Sequence, residues 1–307
     1  MCGIAGEMYF EEVGPVGADL TEMVWGLRHR GLDSAGVACF RDLPTAGVCL
    51  VVRNRPVAGQ TASALLQALA EELHLVSPTI EHWGPDLLVE LQPGEPAQEL
   101  IDNLRENGLV VLGAGRNMIM TKGLGTTQDL LSYYDLKALR GRVGIGHSRM
   151  ATESSVDPDK AHPFWPVGFE DIAIVHNGQL TNYYKLRRRF ERFGYRFVTD
   201  NDSELIAVYV AHFRQESGTL QEPLQRALVE LDGTFTFIAA TPDEIGFAKD
   251  CLAAKPLVVV EQEHRVLLAS EEVAMRPLLK DSYCSWEPQP LTWRHWATCA
   301  STVPAAV

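Results

Sequence analysis

The chain has 307 residues, of which 46% are hydrophobic and 22% are charged, a balance typical of a folded globular protein with a sizeable core. Its 40 acidic and 27 basic residues give a formal net charge of −13, which argues against nucleic acid or an anionic membrane as the main partner. No apolar run approaches the roughly 20 residues that a membrane-spanning helix needs, and the N-terminus lacks the pattern of a signal peptide, so we expect a cytoplasmic protein.

The cysteines are scattered along the chain, without a Cys-X-X-Cys pair and without the Cys/His spacing of a metal site. They are Cys2, Cys39, Cys49, Cys251, Cys284 and Cys299. This pattern predicts free thiols in a reducing compartment, and a bridge between Cys284 and Cys299 would rest only on their closeness in sequence. Iron–sulfur spacing and glycine-rich nucleotide loops are also missing, so we expect no metal and no cofactor on this chain.

Cys2 directly follows the initiator methionine. If Met1 is removed, one residue carries both a thiol and a free α-amine. An unperturbed thiol titrates near about 8.5 and an α-amine near about 7.7–8.0, so around neutral pH the amine is partly unprotonated and can take the thiol proton. A cysteine at position 2 is by itself most simply a chance occurrence, and the remaining residues must decide whether it is a nucleophile.

The first half of the chain predicts a small set of elements followed by an inserted subdomain. The early elements are a strand at 3–10, a helix at 19–27 capped by Asp19 or Thr21, a polar turn at 28–36 and a strand at 37–40. From about 56 to 139 the predicted helices and strands alternate, and Gly- and Pro-rich turns flank this segment on both sides. We expect helices at 62–75 and 96–107 and strands at 86–91, 109–113 and 117–121 in this insertion, which carries no chemical motif and suits an interface or a spacer.

The second half predicts strands and helices in blocks rather than in strict alternation. The strands are expected at 143–152, ending in polar residues, and at 171–175. The helices are expected at 182–193, 202–213 and 220–231, and a four-stranded antiparallel meander at 233–240, 244–249, 256–262 and 265–270. The basic face of the helix at 182–193 is most simply solvated surface. We therefore expect an α+β fold in which two sheets lie between helix layers, with an irregular C-terminal tail from about 283.

Polar residues follow two of these strands and suit a thiol that attacks an amide. Asn177 and the backbone N–H of Gly178 are donors that an oxyanion needs, since glycine permits close approach of the backbone. Arg149 suits a carboxylate and Asp202 suits an ammonium group. Each has a simpler interpretation: an Asn-Gly turn, a structural ion pair and a helix cap, respectively.

Two histidines lie beside these residues in the sequence. We expect His147 and His176 to be hydrogen-bonded structural residues rather than catalysts, because the N-terminal amine already supplies a base. The combination of polar residues in this order is far less expected by chance than any one of them alone.

These residues together resemble the class II glutamine amidotransferases, a family of N-terminal-nucleophile hydrolases. The resemblance covers nearly the whole chain apart from the insertion and the tail. It is carried by the segments 1–10, 28–37, 146–152, 175–178, 200–207, 231–234, 248–250, 255–257 and 269–271. It implies a four-layer αββα fold and an enzyme that hydrolyses glutamine to glutamate and ammonia.

Position by position, the resemblance also implies the role of each site residue. The groups are the catalytic residues Cys2, Asn177 and Gly178, with the α-amine of Cys2 as base; the glutamine-binding residues Arg149, Thr152 and Asp202; and Arg30 and Gly31, which would support the nucleophile. The chain departs from the family pattern at two sets of positions. Met150 and Glu153 stand where some members have tryptophan and histidine, which concerns the pocket and the coupling to the acceptor. Lys249 and Lys255 replace arginines common in the family's Arg-Asp-Pro segment, and Cys251 replaces its proline.

Class II domains are usually fused to the synthase that consumes the ammonia, and this sequence carries no such module. The Gly-His-Ser-Arg run at 146–149 is most similar to the glutamate-synthase branch of the family. The resemblance therefore implies a separately encoded amidotransferase subunit of a glutamate-synthase-like complex, of the type related to N-methylglutamate synthase. Flavin and iron–sulfur clusters would then belong to the partner subunits.

Two other functions remain open at this point. One is a stand-alone amidohydrolase that acts on another γ-glutamyl amide, which a substrate panel would separate because Arg149 and Asp202 require free α-groups. The other is a catalytically silent regulatory subunit that keeps the fold, which would be marked by a retained Met1.

Overall fold

The computed structural model describes residues 2–76, 78–150, 160–279 and 282–298. In these ranges it has seven α-helices and fifteen strands. The helices are α1 (Val16–Gly26), α2 (Ala62–Glu72), α3 (Ala97–Glu106), α4 (Thr127–Leu131), α5 (Tyr183–Arg192), α6 (Asp202–Ser217) and α7 (Gln221–Glu230). The strands are β1 (Gly3–Tyr9), β2 (Ser34–Arg41), β3 (Cys49–Arg53), β4 (Thr79–Trp83), β5 (Asp86–Glu90), β6 (Val111–Gly115), β7 (Met118–Leu124), β8 (Gly141–Arg149), β9 (Ala173–Leu180), β10 (Gly233–Ala240), β11 (Glu244–Lys249), β12 (Val258–Glu261), β13 (Arg265–Ala269), β14 (Ser285–Trp286) and β15 (Thr292–Ala297).

The first sheet has seven strands in the order β14-β12-β13-β1-β8-β2-β7. The N-terminal strand β1 lies near its centre and pairs antiparallel with both β13 and β8. Gly3 faces Ser148 and Ala5 faces Ala269 in this register. The start of the chain is therefore held between two strands that come from much later in the sequence.

The second sheet has the order β15-β11-β10-β9 and stacks on the first, so that β1 and β8 lie against β9 and β10. Because side chains alternate along a strand, Ile4 and Val175 point into the space between the sheets while Ala5 and Ile174 point outward. Helix α1 covers the outer face of the first sheet, and α5, α6 and α7 cover that of the second. The predicted four-layer αββα fold is confirmed.

Glycines on β8 let helix α1 lie close to the sheet. A Cβ atom at Gly144 would be 2.5 Å from side-chain atoms of Leu20, and one at Gly146 would be 2.5 Å from Val24. Real Cβ contacts are essentially never that short, so a larger residue at either position would push the helix outward. Because β8 ends at Arg149, the packing of α1 on this strand also helps to fix the position of Arg149.

The insertion forms a separate four-stranded sheet, in the order β4-β5-β3-β6, with α2 and α3 packed on it. Its strands run from Cys49 to Gly115, and β7 already belongs to the first sheet. The inserted sheet thus begins earlier and ends sooner than the predicted range of 56–139. The predicted boundaries were displaced because β3 and β7 are both apolar strands, and strand propensity does not reveal which sheet a strand joins.

A buried carboxylate ties the inserted sheet to the main body. Asp86 is fully buried and accepts hydrogen bonds from Arg53 Nη1 at 3.3 Å and from the Tyr134 hydroxyl at 2.6 Å. Arg53 also donates from Nη2 to the carbonyl oxygen of Lys122 at 2.9 Å. A charge at this depth requires partners of this kind, because an unpaired buried charge is strongly destabilising.

Two further expectations are wrong. The predicted four-stranded meander is two hairpins in different sheets, because β10 and β11 lie in the second sheet whereas β12 and β13 lie in the first. The described part of the C-terminal tail, up to residue 298, contains two strands: β14 adds to the edge of the first sheet and β15 to the edge of the second. Exposed edges accept additional strands readily, which explains why a segment without clear periodicity becomes ordered there.

The start of α1 differs from the prediction that Asp19 or Thr21 caps this helix. Neither Asp19 nor Thr21 caps the helix, which follows Pro15; Asp19 instead accepts from the Tyr9 hydroxyl at 2.6 Å.

Within the described ranges, no helix combines the length and the hydropathy that crossing a membrane requires.

Candidate active site

Cys2 lies at the edge of the sandwich where β1 begins and where β8 and β9 end. Its backbone carbonyl oxygen accepts two hydrogen bonds, from Arg30 Nε at 2.9 Å and from Asn177 Nδ2 at 3.0 Å. The Sγ atom lies 3.6 Å from the carbonyl oxygen of Met150, and the residue is partly exposed. The backbone of Cys2 is therefore held in place while its thiol faces the opening of the sandwich.

Two residues that the sequence did not single out complete this support. Ser270, just after β13, accepts from the backbone N–H of Ile4 at 2.9 Å and from Asn177 Nδ2 at 3.3 Å. Glu271 forms an ion pair with the buried Arg30. Its carboxylate also accepts a hydrogen bond from His29 Nε2 at 2.9 Å. The available signal was that the predicted strand preceding them is apolar and ends abruptly in polar residues.

The ionisation of Glu271 favours this arrangement. Partial burial by itself would raise the pKa of its carboxyl group, but the hydrogen bonds from Arg30 and His29 outweigh burial and lower the pKa. The carboxylate is therefore charged at neutral pH, and it orients the guanidinium group that holds the Cys2 carbonyl oxygen.

Gly31 brings the polar turn against the end of β8. Its carbonyl oxygen accepts from the Ser148 hydroxyl at 2.6 Å, and a Cβ atom at this position would lie 2.2 Å from the carbonyl carbon of Arg149. The backbone N–H of Asp33 donates to the Arg149 carbonyl oxygen at 3.0 Å. The predicted supporting residues Arg30 and Gly31 are thus both in place, one against Cys2 and the other against Arg149.

Asn177 and Gly178 lie on β9 beside the nucleophile. Gly178 has φ = +144°, and a Cβ atom there would lie 1.9 Å from the carbonyl oxygen of Thr234, so only glycine fits. Asn177 is buried and directs its amide hydrogens to the carbonyl oxygen of Cys2 and to Ser270 Oγ. The Asn-Gly pair is therefore inside a strand and not a simple turn.

The residues expected to bind the α-groups of the substrate lie on either side of this amide. Arg149 donates from Nη1 to the carbonyl oxygen of Lys160 at 3.3 Å, and within the described ranges it has no ion pair with a carboxylate. Asp202 is the first residue of α6 and accepts from the backbone N–H of Leu180 at 2.9 Å. The cap of α6 is Asn201, whose side chain accepts from the N–H of Ser203, so the capping interpretation of Asp202 is wrong. Thr152 lies outside the described residues.

Three buried histidines line the inner side of the site. Burial lowers the pKa of His147 to about 3, lowers that of His162 well below its ordinary value, and lowers that of His176 although the Asp202 carboxylate opposes this. All three rings are therefore neutral near pH 7. His162 and His176 contact the Ser203 hydroxyl, whereas His147 stacks on His162 with 4.0 Å between ring centroids.

The expected structural role fits His176, which is hydrogen-bonded as predicted. For His147, hydrogen bonding with the His176 backbone and the Asn177 side chain opposes the effect of burial on its pKa. No group of three or more His, Cys, Asp or Glu side chains in the described ranges is arranged to hold a metal ion. All of the predicted site residues that the structure describes lie at this one edge of the sandwich.

The arrangement suits attack by a thiol on an amide. A partly exposed sulfur lies beside an amide donor, and a guanidinium and a carboxylate are placed to receive groups of opposite charge. Cys251 and Cys284 are exposed elsewhere, and Cys39 and Cys49 are buried; burial raises the pKa of the Cys49 thiol to about 11, which makes it a poor nucleophile near neutral pH.

Comparison with known proteins adds independent observations. A family model described as a glutamine amidotransferase domain matches residues 147–277. A protein of Methanothermobacter thermautotrophicus, whose name describes it as a candidate glutamine amidotransferase, is 36% identical over 297 residues, covering 92% of this chain and 95% of its own length. The glutamine amidotransferase-like protein GlxB of Rhizobium meliloti is 32% identical over 299 residues, covering 96% of this chain and 98% of its own.

Solved structures share the fold. The glutamine phosphoribosylpyrophosphate amidotransferase from B. subtilis superimposes with a TM-score of 0.58 at 21% identity, over 94% of this chain and 46% of that enzyme. A structure described as the allosteric regulatory enzyme of purine biosynthesis gives a TM-score of 0.60 at 20% identity, over 94% and 45% of the two chains. This chain thus spans less than half the length of either solved enzyme.

Proposed function

This chain belongs to the class II glutamine amidotransferases, and on that basis we propose that it hydrolyses L-glutamine to glutamate and ammonia through a thioester on Cys2. One observation carries the proposal: Arg30 and Asn177 both donate to the Cys2 carbonyl oxygen, which places the amide of Asn177 beside the nucleophile. The proposal requires removal of Met1, because only then does Cys2 carry the α-amine that serves as base.

Each step of the reaction has a group to perform it. The α-amine takes the thiol proton, and the thiolate attacks the side-chain carbonyl carbon of glutamine. The resulting oxyanion is held by Asn177 Nδ2 and the Gly178 N–H. The C–N bond then breaks, and the proton passes from the α-ammonium to the leaving nitrogen to give ammonia. Water attacks the thioester, its proton returns through the amine, and the thiolate leaves with glutamate released.

The amide of Asn177 must change one of its contacts during this cycle. Both of its hydrogens are engaged in the structure, at 3.0 Å to the Cys2 carbonyl oxygen and at 3.3 Å to Ser270 Oγ. The contact to Ser270 is the longer one, so it is the weaker of the two and the one that we assign to the oxyanion once substrate is bound.

Recognition of glutamine is assigned to the charged residues on either side of the nucleophile. Arg149 binds the α-carboxylate and Asp202 binds the α-ammonium, with Thr152 lining the pocket. The pocket requires both free α-groups, and this distinguishes glutamine from γ-glutamyl amides whose α-groups are blocked.

We further propose that the ammonia passes to a separate synthase subunit of a glutamate-synthase-like complex, where flavin and iron–sulfur clusters would reside. In support, the relatives that match nearly end to end are named only for their amidotransferase function, whereas a fused glutamine–fructose-6-phosphate aminotransferase of Acidithiobacillus ferridurans is matched over 28% of its length.

A combined mass and activity measurement tests the proposed reaction. Intact-mass spectrometry determines the fraction of chains that lack Met1, and glutamate and ammonia are quantified after incubation with glutamine. We expect activity to rise in proportion to the processed fraction, and to be low with glutamine derivatives whose α-amine or α-carboxylate is blocked. Processed chains that release no ammonia from glutamine would contradict the proposal.

The proposed transfer to a synthase has its own test. Chains that co-purify with this protein are identified, and the rate of glutamine hydrolysis is measured with and without them. We expect low turnover alone and stimulation by the synthase subunit. An unchanged rate on addition of the co-purified partner would count against the complex and leave the hydrolytic reaction standing.

A further inference from the structure

Ser203 is a buried hydroxyl that contacts two imidazole rings at once. It is the second residue of α6, directly after Asp202, and 1% of its surface is exposed. Its Oγ lies 2.8 Å from His162 Nε2 and 2.9 Å from His176 Nδ1. Neither the helix nor its cap needs this side chain, since the cap is supplied by Asn201.

The geometry sets the direction of these hydrogen bonds. A hydroxyl donates one hydrogen, so at least one of the two imidazole nitrogens must donate to Ser203. His176 Nδ1 also lies 3.7 Å from Asp202 Oδ1, and a carboxylate favours a hydrogen rather than a lone pair on the nitrogen that faces it. His176 therefore donates to Ser203, and Ser203 donates to His162.

This serine completes a connected path between the two substrate-binding residues. Arg149 donates to the carbonyl oxygen of Lys160, two residues before His162 in the chain. His162 contacts Ser203, Ser203 contacts His176, and His176 faces the carboxylate of Asp202. The guanidinium group of Arg149 on β8 and the carboxylate of Asp202 on α6 are thereby connected through the hydroxyl of Ser203.

The same rings also contact the segment that carries the oxyanion donors. His176 directly precedes Asn177, and its Nε2 lies 2.9 Å from the position that a Cβ atom on Gly178 would occupy. Because all three rings are neutral and buried, any shift of Ser203 leaves an imidazole nitrogen without a partner and lets the ring rotate. The Asp202 carboxylate is held by the backbone N–H of Leu180 at 2.9 Å, and a rotated His176 withdraws the ring nitrogen that lies 3.7 Å from the other carboxylate oxygen.

We propose that Ser203 is a positioning residue that sets the spacing between Arg149 and Asp202, so that the pocket selects substrates carrying both a free α-carboxylate and a free α-ammonium group. The inference rests on the proposed function and deepens it by assigning how substrate selectivity is built. Ser203 does not touch the reacting atoms, and its effect is transmitted through His162 and His176.

The test measures ligand binding separately from turnover. In a Cys2→Ala background, calorimetry gives the Kd for L-glutamine and for glutaramate, which keeps the amide and the carboxylate but lacks the α-amine. The variants are Ser203→Ala, Ser203→Thr, which retains the hydroxyl, and Ser217→Ala as a control on the exposed end of the same helix. Kinetics on the Cys2-containing chains then give kcat and KM for glutamine.

We expect Ser203→Ala to weaken glutamine binding about tenfold while glutaramate binding changes little. A displaced Asp202 would lose one hydrogen bond from the α-ammonium group of glutamine, a loss of about that size, and glutaramate lacks this group. KM should rise by a similar factor with kcat within about threefold. Ser203→Thr should restore selectivity, and Ser217→Ala should match the parent chain.

Equal weakening of both ligands, or an unchanged preference for glutamine, would overturn the positioning role. Failure of the proposed function has a different signature, because it appears as absence of glutamine turnover by the processed parent chain, whereas the Kd values decide the role of Ser203 without any turnover. If Ser203→Ala does not fold, the comparison between Ser203→Thr and the parent chain still decides it, since a preserved hydroxyl with lost selectivity contradicts the inference.

Discussion

The inserted sheet and the active-site edge pair their buried polar groups differently. In the inserted sheet, the buried carboxylate of Asp86 accepts from Arg53 and Tyr134, while Trp83 Nε1 has no hydrogen-bond partner within the described ranges. At the active-site edge, His176 Nε2, in the residue before the proposed oxyanion donor Asn177, has no hydrogen-bond partner within the described ranges. Folded proteins rarely leave buried polar atoms unpaired, and they do so mainly where a ligand or a reaction uses them.

The two regions also differ in how far apart in the sequence their contacting residues lie. The inserted sheet is built from a continuous stretch of chain, Cys49 to Gly115. The active-site edge joins Cys2, Asn177 and Ser270, so its geometry exists only when both sheets of the sandwich are in place. We therefore expect changes in the two regions to separate stability from activity.

Replacing the nucleophile should have the largest effect, and only on chemistry. Cys2→Ala should lower glutamine turnover by about 10⁴-fold or more, because the step that forms the thioester is lost. The melting temperature should stay near that of the parent chain, since the Cys2 backbone carbonyl oxygen still accepts from Arg30 and Asn177. Cys251→Ala, at an exposed free cysteine, is the matched control and should keep full turnover. Residual turnover of Cys2→Ala near that of the parent would refute the assignment of the nucleophile.

Removing the buried carboxylate of the inserted sheet should have the opposite profile. Asp86→Ala should destabilise the protein by about 3–5 kcal/mol, because the ion pair with Arg53 and the hydrogen bond from the Tyr134 hydroxyl are both lost from a buried position. Chemical denaturation measures this loss, and hydrogen exchange should show it concentrated in 49–115. Glu106→Ala, at the exposed end of α3, should be near neutral. Loss of glutamine turnover under conditions where Asp86→Ala remains folded would show that the two regions are coupled after all.

A buried carboxyl beneath α1 gives the smallest and most pH-dependent effect. Burial, followed by the charge of the nearby Asp19, raises the pKa of Glu7 well above its ordinary value, although Arg265 opposes the shift. Because the folded chain holds this proton more tightly than the unfolded chain does, stability contributed by Glu7 is present at low pH and is lost as pH rises from about 4.3 towards the raised pKa.

Glu7→Gln should remove that decline. The variant should match the parent near pH 4 and exceed it at higher pH, with the gap in the free energy of unfolding growing by up to ~1.4 kcal/mol for each pH unit in that window. Glu11→Gln, at an exposed carboxyl, should show no such trend. Parallel stability curves for Glu7→Gln and the parent would mean that Glu7 does not titrate differently in the two states.

Local patterns allowed much of the fold to be predicted. Alternating apolar residues located β10 and β11 at the same bounds as in the structure, and 3.6-residue periodicity located α5, α6 and α7 within a few residues. Such patterns record which side of an element is buried. They do not record the partner, so the assignment of β12 and β13 to a different sheet from β10 and β11 was missed, as was the pairing of the tail strands.

The candidate site divides in the same way. Cys2, Arg149, Asn177, Gly178 and Asp202 were recognisable because each has a side chain or a backbone freedom that the chemistry needs. Ser270, Glu271, His162 and Ser203 were not assigned roles, because serine, glutamate and histidine occur throughout the chain and become functional only through what they touch.

The sequence by itself determined the chemistry that is possible and the layers that form, since residue type and periodicity are local properties of a chain. Only the tertiary structure decided which groups meet. The hydrogen bonds from Ser270 to Ile4 and from Asn177 to Cys2 span most of the chain, and the path from Arg149 through Ser203 to Asp202 crosses three elements. Contacts of that kind are set by packing of the two sheets, because the free energy that fixes them comes from burying the whole core and not from any segment that carries them.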